Sequence, residues 1–547
     1  MADQQFFLSN LILIVCCFHW SNSHDLTQAD AVQKATVYKE NNQFVLKVGS
    51  LDKDGLAYGV YNDSFMSTGW GVLDVKAGYS SKSYDENDVA YAAGYLEGYL
   101  TSRQIYQHIV NLNATFFSES EEFPVKLKNF FKKQDEWTRS MIAQAKDDPV
   151  WKGISLITSQ YDGLVDGYNA NPLEGQNLES FNFQILNGCG DIIDLKYVLM
   201  PETFPKWWDM TKTELITFIA NNGHCSALVK ALPGLENLFM SHSSWFGYQD
   251  TLRIYKHYDF NLSGLGRTKM SFSSYPGFLE SLDDFYHMSS GLTMLQTTNN
   301  VFNHTLYTTV VPESLLAWQR VRLANHLATD GKTWGKLLAK YNSGTYNNQY
   351  MIIDRSKFIP KEAILDNALW IVEQIPTLVV YEDETNILRA GYWPSYNVPF
   401  FEEIYNKSGY PDVVAKQGPD VSYQLAPRAK IFRRDQGKVT DMESMKKIMR
   451  YNGYATDPYS EGDPCNTICC RADLRKTDRS ASGCYDTKVS DLSMAAKLQS
   501  FAINGPTRNG GSLPPFSWTG PFQNASHLGL PTVYDFDFVT MQPMDLP

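Results

Sequence analysis

Asn221-Asn222-Gly223-His224-Cys225-Ser226-Ala227-Leu228-Val229-Lys230 lies between a stretch with helical periodicity and one with strand periodicity. Upstream, Thr211 and Glu214 have capping-box spacing, the threonine accepting from first-turn amides and the glutamate reaching back. Leu215, Phe218 and Ile219 recur at helical spacing, and Asn222-Gly223 supplies a left-handed stop. Downstream, Ser226 to Leu232 reads as a strand, Pro233-Gly234 as a turn and Leu238 to Trp245 as the returning strand. Cys225 therefore sits where a helix has ended and a strand begins, a place that exposes a small nucleophile and constrains its backbone. A site of chemistry and a packed structural cysteine are both open at this stage. A hairpin centred on Pro233-Gly234 places Cys225 opposite His242. Strict alternation turns Trp245 to the other face, so a bulge near Ser243-Ser244 is needed to bring both to one site.

Away from this hairpin, Thr36-Val37-Tyr38 and Phe44 to Val48 flank Glu40-Asn41-Asn42 as a second hairpin. Residues 84–113, 123–147 and 148–173 read as helices, and residues 187–191 as a turn carrying a packed Cys189. Further strands are expected at 252–258, 269–274 and 291–298, and helices at 315–328, 332–340 and 442–451. Residues 361–375 are apolar and mixed, 391–401 form a proline- and aromatic-rich loop, and 425–432 read as a short strand carrying Arg428. Helices, a block of antiparallel strands and more helices predict an α+β protein with a sheet covered by helical layers.

The 547 residues are 43% hydrophobic with a formal net charge of -12. The composition supports a large core, and the acidic balance argues against nucleic acid as a partner. Phe6 to Cys17 is an apolar run too short to span a bilayer, and Ser21 and Ser23 make a small-x-small pattern before His24. Residues 1–23 are read as a signal peptide, although its first residues lack Lys and Arg. A secreted or lumenal (lysosome-like) setting follows, and the sequons at Asn62, Asn113, Asn261, Asn303, Asn406 and Asn524 agree with it. In an oxidising compartment Cys465, Cys469, Cys470 and Cys484 read as two disulfides of open connectivity, with a zinc site as the competing reading. Cys189 and Cys225 are left over from that cluster. No phosphate, dinucleotide or metal motif and no Gly-x-Ser-x-Gly elbow occurs, so no cofactor is expected.

The run from Asn222 to Lys230, His242-Ser243-Ser244-Trp245, Phe272-Ser273-Ser274-Tyr275-Pro276-Gly277, Asp283-Asp284-Phe285-Tyr286 and Ser289-Ser290-Gly291-Leu292 resembles the phospholipase B-like family. Tyr396-Asn397-Val398-Pro399, Ala426-Pro427-Arg428 and Asp463-Pro464-Cys465 extend the resemblance over essentially the whole chain after the leader. The cysteine run 465–470 is closer to the first animal branch and its protist relatives than to the second. The resemblance implies an N-terminal-nucleophile hydrolase: an αββα sandwich of two antiparallel sheets between helical layers. It also implies cleavage between His224 and Cys225, giving fragments 24–224 and 225–547 that form one composite domain.

Freed by that cut, the α-amine of Cys225, with an ordinary pKa of about 7.7–8.0, can act as base for its own thiol. By motif, the resemblance adds His242, Trp245, Thr298, Asn397 and Arg428 to the catalytic set. Asn397 is expected to donate to an oxyanion, Arg428 to hold substrate or stabilise the thiolate, and His242 and Trp245 to shape the pocket. The implied reaction is removal of acyl chains from glycerophospholipids, with transient membrane-surface contact. An N-acyl lipid amidase and a self-cleaved, non-catalytic lipid- or protein-binding glycoprotein remain alternatives.

Overall fold

The computed structural model describes residues 31–118, 120–212, 214–215, 218, 224–282 and 285–547. The expected leader 1–23, the expected Asn222-Gly223 stop and Asp283-Asp284 lie outside the described residues. Among the described residues two large sheets organise the chain. The first has eleven strands, β1 (Ala31–Glu40), β2 (Gln43–Val48), β3 (Ala57–Ser64), β4 (Trp70–Ala77), β7 (Ile254–Phe260), β8 (Met270–Ser274), β9 (Phe285–Met288), β10 (Leu292–Thr298), β11 (Asn348–Asp354), β14 (Leu369–Ile375) and β15 (Leu378–Asp383). Their spatial order is β15-β14-β11-β10-β9-β8-β7-β4-β3-β1-β2. The second has seven: β5 (His224–Ala231), β6 (Leu238–Gly247), β16 (Tyr392–Ser395), β17 (Ser482–Cys484), β18 (Asp486–Asp491), β19 (Ser500–Asn504) and β22 (Val539–Met541). Its order is β16-β5-β6-β18-β19-β22, with β17 also on β6. Two short ladders, β12 (Phe358–Ile359) with β13 (Ala363–Ile364) and β20 (Phe516–Ser517) with β21 (Val533–Tyr534), stand apart.

The layering follows from period-2 side-chain alternation. On β11, Tyr350 and Ile352 pack with the helices Glu86–Leu100 and Pro149–Asn169 in one core, whereas Met351 and Ile353 join Ala227, Val229 and Met240 in another. That second core lies between the sheets. Leu228 and Phe239, on the opposite face of the second sheet, pack with Ala429, Ile431 and Phe432 of the helix Pro427–Asp435 and Met445 of the helix Met442–Met449. The α+β expectation therefore holds as a helix–sheet–sheet–helix sandwich. One pair departs from the antiparallel expectation: β4 runs parallel to β7, with Gly71 opposite Ile254. Through it, strands from before and after residue 224 share one sheet.

Several local expectations hold. Thr211 N donates to Glu214 Oε2 at 2.7 Å and Glu214 N to Thr211 Oγ1 at 3.3 Å, which is the capping box. The β1–β2 hairpin turns on Asn41 and Asn42, at φ 50° and 61°, values asparagine tolerates. Others are corrected. Residues 187–191 are not a turn: the helices Ser180–Asn187 and Cys189–Leu199 meet across Gly188 alone, and Cys189 is a buried first-turn residue. The mixed stretch 361–375 ends in β14, and the loop 391–401 begins with β16. The expected strand 425–432 is the start of the helix Pro427–Asp435, because Pro427 at its first position presets φ and needs no amide partner.

Candidate active site

Cys225 is the second residue of β5 and is buried. Its cross-strand partner is Ser244, and His242 stands opposite Ala227 instead. The expected register is displaced by two because the loop spans residues 232–237, with Gly234 at φ 68° and Leu235 at φ 54°. This moves the hairpin centre one residue past Pro233-Gly234. The β5–β6 ladder runs unbroken from Leu238 to Trp245, so no bulge lies at Ser243-Ser244 on that side. The irregularity is on the other neighbour, where four residue steps from Cys484 to Lys488 match three from Trp245 to His242. His242 and Trp245 therefore stay on opposite faces.

The face that carries Cys225, Ser244 and His242 looks towards the first sheet, since Ala227, Val229 and Met240 on it belong to the inter-sheet core. The other face carries Ser226, whose Oγ donates to Ile468 O at 2.8 Å, and Trp245, which packs on the cysteine cluster. Cys465 is bonded to Cys470 and Cys469 to Cys484, which resolves the connectivity left open by the sequence. Of the zinc alternative nothing remains, because these four sulfurs are consumed in disulfides.

Arg428 ties the two faces together at the start of β5. Its Nη1 donates to Cys225 O at 2.7 Å and to Ser226 Oγ at 3.2 Å. Its Nη2 donates to Tyr396 O at 2.8 Å and to Asn397 Oδ1 at 2.7 Å. The guanidinium lies 4.5 Å from the centre of the Trp245 ring. All four terminal N–H bonds thus have neutral acceptors, and among the described residues no carboxylate pairs with this cation. Desolvation pushes its pKa down to about 9, while the nearby Cys225, Tyr396 and Tyr410 pull it back up. An under-compensated cation next to a thiol favours the thiolate.

Asn397 stands in the left-handed region at φ 68°. Its Nδ2 donates to Thr298 O at 2.6 Å, and its own carbonyl accepts from Tyr410 Oη at 3.0 Å. An amide nitrogen has two hydrogens, so one remains for a reacting group. Thr298 ends β10 and contributes its backbone carbonyl here, while its Oγ1 accepts from Gln296 Nε2 at 3.3 Å. A cavity of about 70 Å³ opens beside these groups, lined among others by Trp245, Asn300, Tyr396, Asn397, Arg428 and Cys465.

The structure thus gathers Cys225, Trp245, Thr298, Asn397 and Arg428. His242 is set one cross-strand row deeper, with Nδ1 3.5 Å from Ser244 Oγ. Sequence reasoning missed Tyr396 and Tyr410, which anchor Arg428 and Asn397. Tyr396 stood inside the motif that pointed to Asn397; Tyr410 left no local signal, because it arrives from the separate helix Tyr410–Gln417.

Comparison with known proteins gives the family. The phospholipase B family model matches residues 57–541. Phospholipase B-like 1 of Rattus norvegicus is 54% identical over 503 residues, covering 90% of this chain and 89% of its own. Phospholipase-B 81 of Drysdalia coronoides is 52% identical over 530 residues, covering 95% and 94%. Phospholipase B-like protein B of Dictyostelium discoideum is 36% identical over 498 residues, covering 89% and 86%. With a family model over most of its length and such relatives, this chain belongs to the phospholipase B family, nearer to the phospholipase B-like 1 proteins than to the Dictyostelium ones.

Proposed function

We propose that this protein is an acyl hydrolase of lipids that uses Cys225 as an N-terminal nucleophile. The observation that carries the reading is the pair of bonds from Arg428 to Cys225 O and Asn397 Oδ1 beside the cavity. In this reading the chain is cut between His224 and Cys225 inside an N-terminal-nucleophile hydrolase fold. The new α-amine takes the thiol proton, the thiolate attacks the acyl carbonyl, and the remaining N–H of Asn397 Nδ2 stabilises the oxyanion. The amine returns its proton to the leaving alcohol, and water then hydrolyses the thioester. Trp245 and Arg428 wall the pocket, Thr298 O orients Asn397, and His242 acts from behind Ser244. No metal or other cofactor is required.

The substrate class is read from the family: glycerophospholipids, met at a membrane surface. No helix among the described residues is long and apolar enough to cross a membrane. We place the protein in a secreted or lysosomal lumen, with residues 1–23 as leader, and fragments 24–224 and 225–547 held together as one body. Among the sequons, Asn261, Asn406 and Asn524 are exposed, whereas Asn62, Asn113 and Asn303 are half-buried. Glycans are accordingly expected first at the exposed three.

The test is N-terminal sequencing of the purified protein together with fatty-acid release from phosphatidylcholine and from an N-acylated amine. A fragment beginning at Cys225, absent in Cys225→Ala, with preferential release from phosphatidylcholine, is the expected result. An intact protein that is fully active, or a fragment starting elsewhere with Cys225 internal, overturns the mechanism. Preference for the N-acylated amine overturns the substrate class alone.

A further inference from the structure

Cys225 and Ser244 are direct cross-strand partners, so their side chains leave the same face of the second sheet, with β-carbons normally about 4.5–5.5 Å apart. Ser244 is fully buried there and is not left to itself. Lys488 Nζ donates to Ser244 Oγ at 2.5 Å and to Asp486 Oδ1 at 2.7 Å. The same Asp486 oxygen accepts from Ser244 N at 3.1 Å, and the other, Oδ2, lies 2.9 Å from Arg253 Nη1. Lys488 pairs with His242 in the β6–β18 ladder, and Asp486 lies two residues away on the same strand face. Asp486, Lys488, Arg253 and His242 are all buried, so this is a water-excluded polar cluster rather than a surface ion pair.

A buried ion cluster contributes little more to stability than an apolar filling of the same space, so a positioning purpose is open to it. Its geometry supplies one. A lysine ammonium can only donate, so the bond from Lys488 occupies a lone pair of Ser244 Oγ and directs the hydroxyl hydrogen elsewhere. Two acceptors face that hydrogen: His242 Nδ1, 3.5 Å from Oγ, and Cys225 directly across the ladder. Asp486 fixes both ends of this arrangement by holding the Lys488 head group and the Ser244 amide. Resting on the nucleophile assignment above, we infer that Ser244 and Lys488 are positioning residues for Cys225. Ser244 donates its O–H to the Cys225 sulfur, and Lys488, oriented by Asp486, turns that hydroxyl and adds positive charge behind it. No proton changes owner in this step; the hydrogen bond stabilises the thiolate that the α-amine generates. His242 completes the surroundings of the Ser244 hydroxyl, with Nδ1 at 3.5 Å.

The experiment compares the full-length protein with Ser244→Ala, Ser244→Thr, Lys488→Met and Lys488→Arg. Each is checked for a cooperative melt and for its fragment N-terminus, then assayed for Cys225 alkylation by iodoacetamide and for kcat and KM. In Ser244→Ala, alkylation and kcat are expected to fall by about 10- to 100-fold, the usual effect of losing a hydrogen bond to a charged group, with KM little changed. Ser244→Thr, which keeps the hydroxyl, restores both, and Lys488→Met falls as Ser244→Ala does. A folded Ser244→Ala that stays uncut while Ser244→Thr is cut supports the inference as well, because the same thiol is involved. Wild-type alkylation and kcat in Ser244→Ala overturn it, as does equal loss in Ser244→Ala and Ser244→Thr. Should Ser244→Ala and Lys488→Met fail to fold, the decision falls to the other two: slowed alkylation in folded Lys488→Arg with wild-type rates in Ser244→Thr supports it, and any other pattern overturns it. Absence of a Cys225 N-terminus in the wild type would instead remove the nucleophile assignment, an outcome separable from all of these.

Discussion

Arg428 donates to the main-chain oxygen of Cys225 at 2.7 Å, so a side chain of the helix Pro427–Asp435 fixes the backbone of the candidate nucleophile. The other terminal N–H bonds of Arg428 are engaged as well, so in the proposed mechanism its part is to organise and to supply charge rather than to grip substrate. Arg428→Lys keeps a cation but cannot span four acceptors with a planar fork. Steady-state acyl release by Arg428→Lys is expected to drop in kcat/KM by about 10²-fold or more, the scale of losing a preorganised donor set. Near-wild-type turnover would show that charge alone suffices.

Asn397 combines an unusual backbone with two side-chain bonds, and substitutions can separate these. Asn397→Ala forces a residue with a β-carbon into φ 68° without the local polar compensation, costing about 1–2 kcal/mol of stability as well as activity. Asn397→Gly relieves the backbone and removes only the amide. Denaturant melts are therefore expected to show Asn397→Gly as the more stable variant, while both lose acyl release by a similar factor, about 10²- to 10³-fold. Recovery of activity in Asn397→Gly would assign the residue to backbone geometry alone.

The disulfide Cys469–Cys484 closes a loop with a sequence separation of 15 and packs against Trp245, the pocket wall. The paired substitution Cys469→Ala with Cys484→Ala is expected to cost about 3 kcal/mol, the chain-entropy value for such a loop. Since Trp245 rests on this bond, intrinsic fluorescence and KM should change together in urea titrations and activity assays. A stability loss with unchanged KM would confine the bridge to folding.

Asp250 offers a check on acid behaviour. It is fully buried, Oδ1 has no hydrogen-bond partner among the described residues, and Thr115 Oγ1 donates to Oδ2 from 3.4 Å. Burial pushes its pKa up to about 8. An acid whose folded pKa is raised binds its proton more tightly when folded than when unfolded. Its contribution is fully present below the ordinary aspartate pKa and is lost as pH rises towards about 8, at up to about 1.4 kcal/mol per pH unit. Chemical unfolding at pH 5 and pH 8 should therefore show a smaller difference for Asp250→Asn than for the wild type. An unchanged difference would remove Asp250 as a cause of acid stabilisation.

How much of this was legible in the sequence depends on the range of the forces involved. The capping box at Thr211, the Asn41-Asn42 turn and the β5 and β6 strands are set by neighbouring residues, and all were read correctly. The register that puts Ser244, not His242, opposite Cys225 depends on a loop with one residue before Pro233-Gly234 and three after it, an asymmetry below the resolution of a hydrophobic pattern. The strand expected at 425–432 is instead a helix that Pro427 begins, with Ala429, Ile431 and Phe432 as its buried side, a packing role set by distant residues. The Lys488–Ser244 contact joins residues 244 positions apart, and nothing local to either announces it.

The parallel contact of β4 with β7 has a kinetic consequence. While the chain is continuous, this pairing forms within one molecule, and refolding follows first-order kinetics. A break between residues 224 and 225 would leave β4 and β7 on separate polypeptides, so the same ladder could re-form only by collision of two partners. Maturation would then act as a ratchet: the cut protein keeps its shape while folded, yet once denatured and diluted its recovery slows with falling concentration.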